Sequence, residues 1–226
     1  MPEGRLFIGS KRYSSWSMRG WLAVHLAGLD VAEVLIALEA TPSAAIQAAS
    51  PTGLVPYLEH RGVQVWETIA IAEYCAEQAP GLWPAEVARR AHARAIAAEM
   101  HAGFRGLRQA MPMNLGRDFA GGGRNPESLA DIARIEAIWR EARALWGGPF
   151  LSGASFGLAD AMYAPVVARF ITWAPELSAG SRAYMAAVRA HPLVERWYAE
   201  AAAEPAAWRL DKYENPPGAL GGAIQG

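Results

Sequence analysis

The chain has 226 residues, enough for one large domain or two modest ones with a full apolar core. Its formal net charge is −1 and no polybasic run occurs, so nothing points electrostatically to nucleic acid. No apolar stretch reaches the roughly 18 residues of a membrane span, and Met1 to Gly4 lack the basic-then-apolar pattern of a leader.

Arg5 to Gly9 predicts a short strand around Leu6-Phe7-Ile8. Ser14 to Gly28 predicts a helix, with serines at its start, apolar residues at helical spacing and glycine past its end. Val31 to Leu38 is rich in branched residues and predicts a second strand. Thr41-Pro42 predicts the opening of a short helix, with Thr41 as cap and Pro42 as first helical residue. After the turn Ser50-Pro51-Thr52-Gly53, Val55 to Glu59 and Val63 to Trp66 predict a hairpin around Arg61-Gly62. Thr68 to Gln78 predicts a third helix. The order β-α-β-α-β-β-α is that of an α/β thioredoxin-like domain, expected over residues 1–79.

Residues 80–84 read as a linker. From residue 85 to 226 only helices are expected, followed by an extended tail from Asn215. Ala85 to Met111 predicts one long helix and Glu127 to Trp146 a second. Shorter helices follow at Gly157 to Trp173, Ser178 to Ala190 and Pro192 to Ala203. Nine tryptophans suggest large apolar surfaces at pockets or an interface.

The single cysteine, Cys75, excludes an internal disulfide, fits a reducing cytoplasmic compartment, and reads as a core thiol in the middle of a helix. The five histidines show no metal-ligand spacing, and no metal is expected. Asp160 stands where it can accept from the start of its helix, which reads as stability. Arg19 reads as a structural ion-pair partner.

Two stretches carry chemistry. Pro56 heads a strand, where its missing N–H does no harm, and leaves the Val55 backbone free to pair with an extended peptide. Glu67-Thr68 then opens a helix whose N–H groups and dipole favour a carboxylate. Together these suit a small acidic peptide. Tyr13-Ser14-Ser15-Trp16-Ser17-Met18-Arg19 joins the first strand to the first helix. Its serines either cap the helix or donate to a thiolate, and a helix start lowers a thiol's pKa.

The serine loop, the stretch Gln47 to Pro56, Glu67-Thr68-Ile69-Ala70-Ile71 and Leu158-Ala159-Asp160 occur in one order ahead of an all-helical second half. In this the chain resembles the cytosolic glutathione transferases, nearest to the serine-type zeta-like class that includes maleylacetoacetate isomerases. The resemblance implies glutathione as co-substrate, no metal, a homodimer, and conjugation of the thiolate to small apolar electrophiles. Isomerisation of the maleylacetoacetate type and a non-catalytic binding module are its alternatives. It implies that Ser14 activates the thiol, with Ser15 as substitute and Ser15 and Ser17 as the better-placed caps. Val55 with a cis Pro56 would pair with the cysteinyl part, Glu67 and Thr68 would hold the γ-glutamyl end, and Gln47 would lie near the glycyl end. Tyr13, Trp16, Phe104, Arg108 and Met111 would line the electrophile pocket, the last three on one helix face. The third helix and first long helix would meet a second copy, with arginines at 89, 90 and 94 and acids such as Glu73 and Glu77 pairing across. The class usually has cysteine where this chain has Trp16, and Leu54 offers no side-chain hydrogen bond.

Overall fold

The computed structural model describes residues 1–41 and 43–219. The expected helix start at Pro42 and residues 220–226 of the expected extended tail lie outside the described residues.

The first half is one four-stranded sheet in the order β2-β1-β3-β4. Its strands are β1 (Gly4–Gly9), β2 (Val31–Ile36), β3 (Tyr57–His60) and β4 (Val63–Trp66). β1 runs parallel to β2 and antiparallel to β3, and β3 pairs antiparallel with β4. The helices are α1 (Ser15–Leu26), α2 (Ala44–Ala49) and α3 (Thr68–Gln78). Leu6, Ile8 and Leu58 are completely buried in the sheet, each contributing about 1.5–3 kcal/mol of burial. Arg61 and Gly62 both take positive φ, as a tight hairpin requires.

The second half is helical: α4 (Val87–Ala102), α5 (Arg105–Ala110), α6 (Pro126–Trp146), α7 (Leu158–Trp173), α8 (Ala179–Arg189), α9 (Pro192–Ala202) and α10 (Asp211–Glu214). The long α7 is buried almost throughout and packs against α1 and α4, so it joins the two halves. The fold is a thioredoxin-like domain followed by an all-helical domain.

Four expectations are corrected. The helix expected from Ala85 to Met111 is two helices. Gly103 closes α4, and Phe104 takes φ 62° while its ring stays buried, so the chain turns before α5. The short α2 starts at Ala44 with Ser43 before it, two residues later than Thr41 would have it. The strand expected from Val55 starts at Tyr57, past the proline that cannot donate to the ladder. The first residues of the tail expected from Asn215 are turned rather than extended: Ala219 N–H donates to Pro216 O at 3.0 Å, and Gly218 O accepts from Gly123 N–H at 3.4 Å.

Candidate active site

The β1–α1 loop floors a cleft of about 450 Å³ between the two domains. Tyr13, Ser14, Ser15 and Trp16 form the floor. Leu38, Thr41, Ser43, Ile46 and Val55 form the sheet-side wall, and Arg108, Met113, Arg169 and Tyr213 the helical wall. A second cleft of about 250 Å³ shares Trp16, Leu54 and Val55 and continues to Pro56, Glu67 and Thr68. The Val55–Pro56 bond is cis. Gly20 on α1 makes room for that turn: a Cβ there would stand 2.7 Å from Pro56 Cγ.

The loop itself is tied to both domains. Trp197 Nε1 donates to Lys11 O at 3.1 Å, Arg12 N–H donates to Glu204 Oε2 at 3.1 Å, and Lys11 Nζ pairs with Glu33 at 2.7 Å and with Glu200. These contacts hold the serines in place from α9 and from β2.

The two serines differ in what their hydrogens do. Ser14 caps α1: its Oγ accepts from Ser17 N–H at 3.3 Å, and its hydroxyl donates to Ser17 Oγ at 2.8 Å. Capping thus falls to Ser14, correcting the expectation that Ser15 and Ser17 are the better caps. Helical geometry begins at Ser15, which places Ser14 at the half-in position. Ser15 Oγ accepts from Arg169 Nη2 at 3.2 Å, and no protein acceptor among the described residues takes its hydrogen. It also stands at the positive end of α1.

Among the described residues Arg19 forms no ion pair, contrary to its reading as an ion-pair partner. It is wholly buried, gives Nε to Met162 O at 2.7 Å and Nη1 to Ser15 O at 3.3 Å, and among the described residues its Nη2 has no partner. Trp16 lies between two guanidinium groups, with Arg108 Cζ 4.5 Å and Arg19 Cζ 5.0 Å from its ring centre.

Tyr13 lines the cleft, but its hydroxyl donates to Glu214 at 2.6 Å and its ring stacks on Tyr213 at 4.8 Å. Burial, then that carboxylate, pushes the phenol above the usual tyrosine range. Glu67 sits before α3 at φ 65°, a conformation rare outside glycine and frequent at ligand clamps. Its carboxylate is 3.6 Å from His101 Nε2, and Thr68 behind it is 1% exposed. Burial lowers the His101 pKa, and Glu67 opposes that shift.

Other expected residues fall elsewhere. Gln47 is exposed on α2 and packs near Gly53, whereas Ser43 and Ile46 of that segment line the cleft. Phe104 and Met111 flank α5 as its two end residues, on the same short helix as Arg108, but both are buried in the core and neither lines the cleft. Arg94 pairs with Glu73 of its own chain at 2.6 Å, Arg90 donates to Pro84 O at 3.1 Å, and Arg89 lies over Trp146. Arg169 and Tyr213 were missed. Arg169 had one signal, a lone cation inside the apolar run Leu158 to Trp173, which asks for a purpose. Tyr213 had none. Among the described residues no group of three or more His, Cys, Asp or Glu side chains gathers as a metal site. No helix there is long and apolar enough to cross a membrane.

The family described as "Glutathione S-transferase, N-terminal domain" matches residues 13–78, and "Glutathione S-transferase, C-terminal domain" matches residues 90–200. The chain belongs to the glutathione S-transferase family. Among solved structures it is similar to a Burkholderia glutathione transferase homologue with bound glutathione, at 21% identity and TM-score 0.69. That match covers 90% of this chain and 100% of the other. It is also similar to the theta class glutathione S-transferase of Xanthomonas axonopodis pv. citri with glutathione bound, at 26% identity and TM-score 0.64, covering 88% and 98%. A maleylacetoacetate isomerase from Anaeromyxobacter dehalogenans shares 23% identity and TM-score 0.65, covering 93% and 98%. No curated protein matches the sequence.

Proposed function

We propose that the protein binds glutathione along the joined clefts, holds its thiol as a thiolate at Ser15, and transfers it to a small electrophile. The γ-glutamyl end lies at Glu67 and Thr68, the cysteinyl backbone pairs with Val55, and the glycyl end runs toward Thr41 and Ser43. The observation that carries this reading is the state of the Ser15 hydroxyl. Its oxygen is occupied by the buried Arg169, and at the head of the helix its hydrogen meets no protein acceptor among the described residues. A hydroxyl that accepts from a cation is polarised toward donating, and the helix dipole adds to the field on an anion there. Ser14, by contrast, has already given its hydrogen to Ser17. Two structural relatives solved with glutathione bound support the choice of ligand.

Paired serine variants test the reading. A lost hydrogen bond to a charged group costs about 1.5–3 kcal/mol, or roughly ten- to a hundredfold in rate. Ser15→Ala should shift the rising limb of the kcat/KM pH profile up by about one to two pH units, with turnover restored at high pH. If Ser14→Ala produces that shift and Ser15→Ala does not, the activating role belongs to Ser14.

We also propose a homodimer in a reducing cytoplasm. Val63 and Trp66, over 40% exposed on the edge strand β4 next to α3, present apolar surface that a second copy would cover. A monomer by light scattering at micromolar concentration overturns this.

A further inference from the structure

The helical wall of the cleft carries positive charge with which no carboxylate among the described residues forms an ion pair. Arg108 and Arg169 both line it, and Arg19 lies behind it against the same tryptophan as Arg108. Arg169 is 5% exposed and among the described residues bonds only to neutral acceptors: Met111 O at 2.9 Å, Pro165 O at 3.1 Å and Ser15 Oγ at 3.2 Å. Arg108 gives Nε to Gly103 O at 3.0 Å and Nη2 to Met100 O, again neutral, and its Nη1 has no protein acceptor among the described residues. Arg19 bonds to two carbonyls, and among the described residues its buried Nη2 has no partner.

These cations repel one another. Burial, then Arg108 and Arg169, lower the Arg19 pKa, and burial, then Arg108, lower that of Arg169. The acid that acts on Arg108 is Asp131, whose Oδ2 is taken by Leu107 N–H at 2.9 Å. Glu39 lines the opposite wall of the cleft, and among the described residues it forms no ion pair with any of the three. Capping the end of α4 explains two of Arg108's bonds. It leaves Arg108 Nη1 with no protein acceptor among the described residues, whereas Arg169 stands beside the Ser15 hydroxyl at which the thiolate is placed. Burying a cation unpaired is expensive, and the expense is tolerated where a ligand brings the missing charge. A planar guanidinium with free N–H groups matches a carboxylate.

We propose that the electrophile taken by this cleft carries a carboxylate, held by Arg108 on the wall it shares with Arg169. The inference rests on the glutathione reading above and replaces a purely apolar electrophile with an anionic one. In aryl transfer the thiolate sulfur forms a C–S bond at the ring carbon. The C–Cl bond breaks, chloride leaves with the electron pair, and the thiol proton goes to solvent. The substrate's carboxylate takes no part in this exchange and serves only to anchor the ring beside the sulfur.

A matched pair of probes tests the anchor: 4-chloro-3-nitrobenzoate and 4-chloro-3-nitrobenzamide, which differ by one charge and share a leaving group. With each kcat/KM divided by its uncatalysed rate with glutathione, the benzoate should be favoured about tenfold or more, as one charge-assisted bond predicts. Arg108→Gln should bring that ratio near one, and Arg108→Lys should keep part of it. A wild type that uses the amide as well as the acid overturns the inference, and so does a ratio that survives in Arg108→Gln. If Arg108→Gln instead weakens glutathione itself in calorimetry while the ratio stands, Arg108 reads the peptide's own carboxylate and the inference is equally lost. Binding of the two product conjugates gives a readout without turnover. Equal binding of both removes the carboxylate anchor alone, whereas binding of neither, with no glutathione bound, removes the transferase reading and the anchor with it.

Discussion

Asp160→Ala should destabilise the protein by about 3–5 kcal/mol. The carboxylate is wholly buried in the first turn of α7 and serves three donors. Oδ1 accepts from Leu151 N–H at 3.0 Å and from Tyr184 O–H at 3.1 Å, and Oδ2 accepts from Gly157 N–H at 3.0 Å. Alanine strands all three donors in the interior, at about 1–3 kcal/mol each. Removing a desolvated acid returns part of that sum. For a chain of this size each kcal/mol lowers Tm by about 2–4 °C, so the midpoint should fall by about 6–20 °C. Asp160→Asn keeps one acceptor oxygen but sets an amide N–H₂ donor against the donor at the other position, and should lose about 1–3 kcal/mol. Burial lifts the Asp160 carboxyl to about 6 despite its three donors. A folded pKa above the unfolded value of about 3.9 contributes stability below that value and loses it as pH rises through 6. The gap between wild type and Asp160→Asn should therefore narrow from about pH 4 to 6. Thermal and urea unfolding across that range read all three quantities. A loss under about 1 kcal/mol for the alanine variant would refute the reasoning.

Two further outcomes follow from buried or ligand-facing groups. Glu67→Ala should raise the glutathione Kd by roughly ten- to a hundredfold in calorimetry while leaving Tm nearly unchanged, because its carboxylate is exposed and anchors no core contact. Cys75, fully buried with its thiol pushed up to about 12 by burial, should resist a thiol reagent at pH 8 and react once the chain is unfolded. Rapid labelling of the native protein would contradict its place in the core.

The sheet was legible because its signals are local. Apolar Leu6 to Ile8, the Arg61-Gly62 turn and Pro56 at the head of a strand each act through their own backbone preferences. α3 was legible to the residue, from Thr68 to Gln78. The break at Gly103–Phe104 was not, since the alanine-rich sequence around it favours helix. The break follows from burial of the Phe104 ring and from Arg108 reaching back to Gly103 O, both tertiary facts. The serine loop shows the same limit. Sequence brought Ser14 and Ser15 together as candidates, but which one caps depends on the residue at which helical geometry begins. Arg169, from the far end of α7, is 154 positions from Ser15 and meets it only through the packing of α7 on α1.

The central claim is that the protein holds glutathione's sulfur as an anion at the head of α1. Ultraviolet difference titration of the wild-type glutathione complex, following thiolate absorption against pH, tests it most directly. A free thiol titrates at about 8.5, and a donor hydroxyl with a helix N-terminus should bring the bound thiol at least one unit lower. A bound thiol that titrates with the free peptide would contradict the claim, even if binding itself were tight.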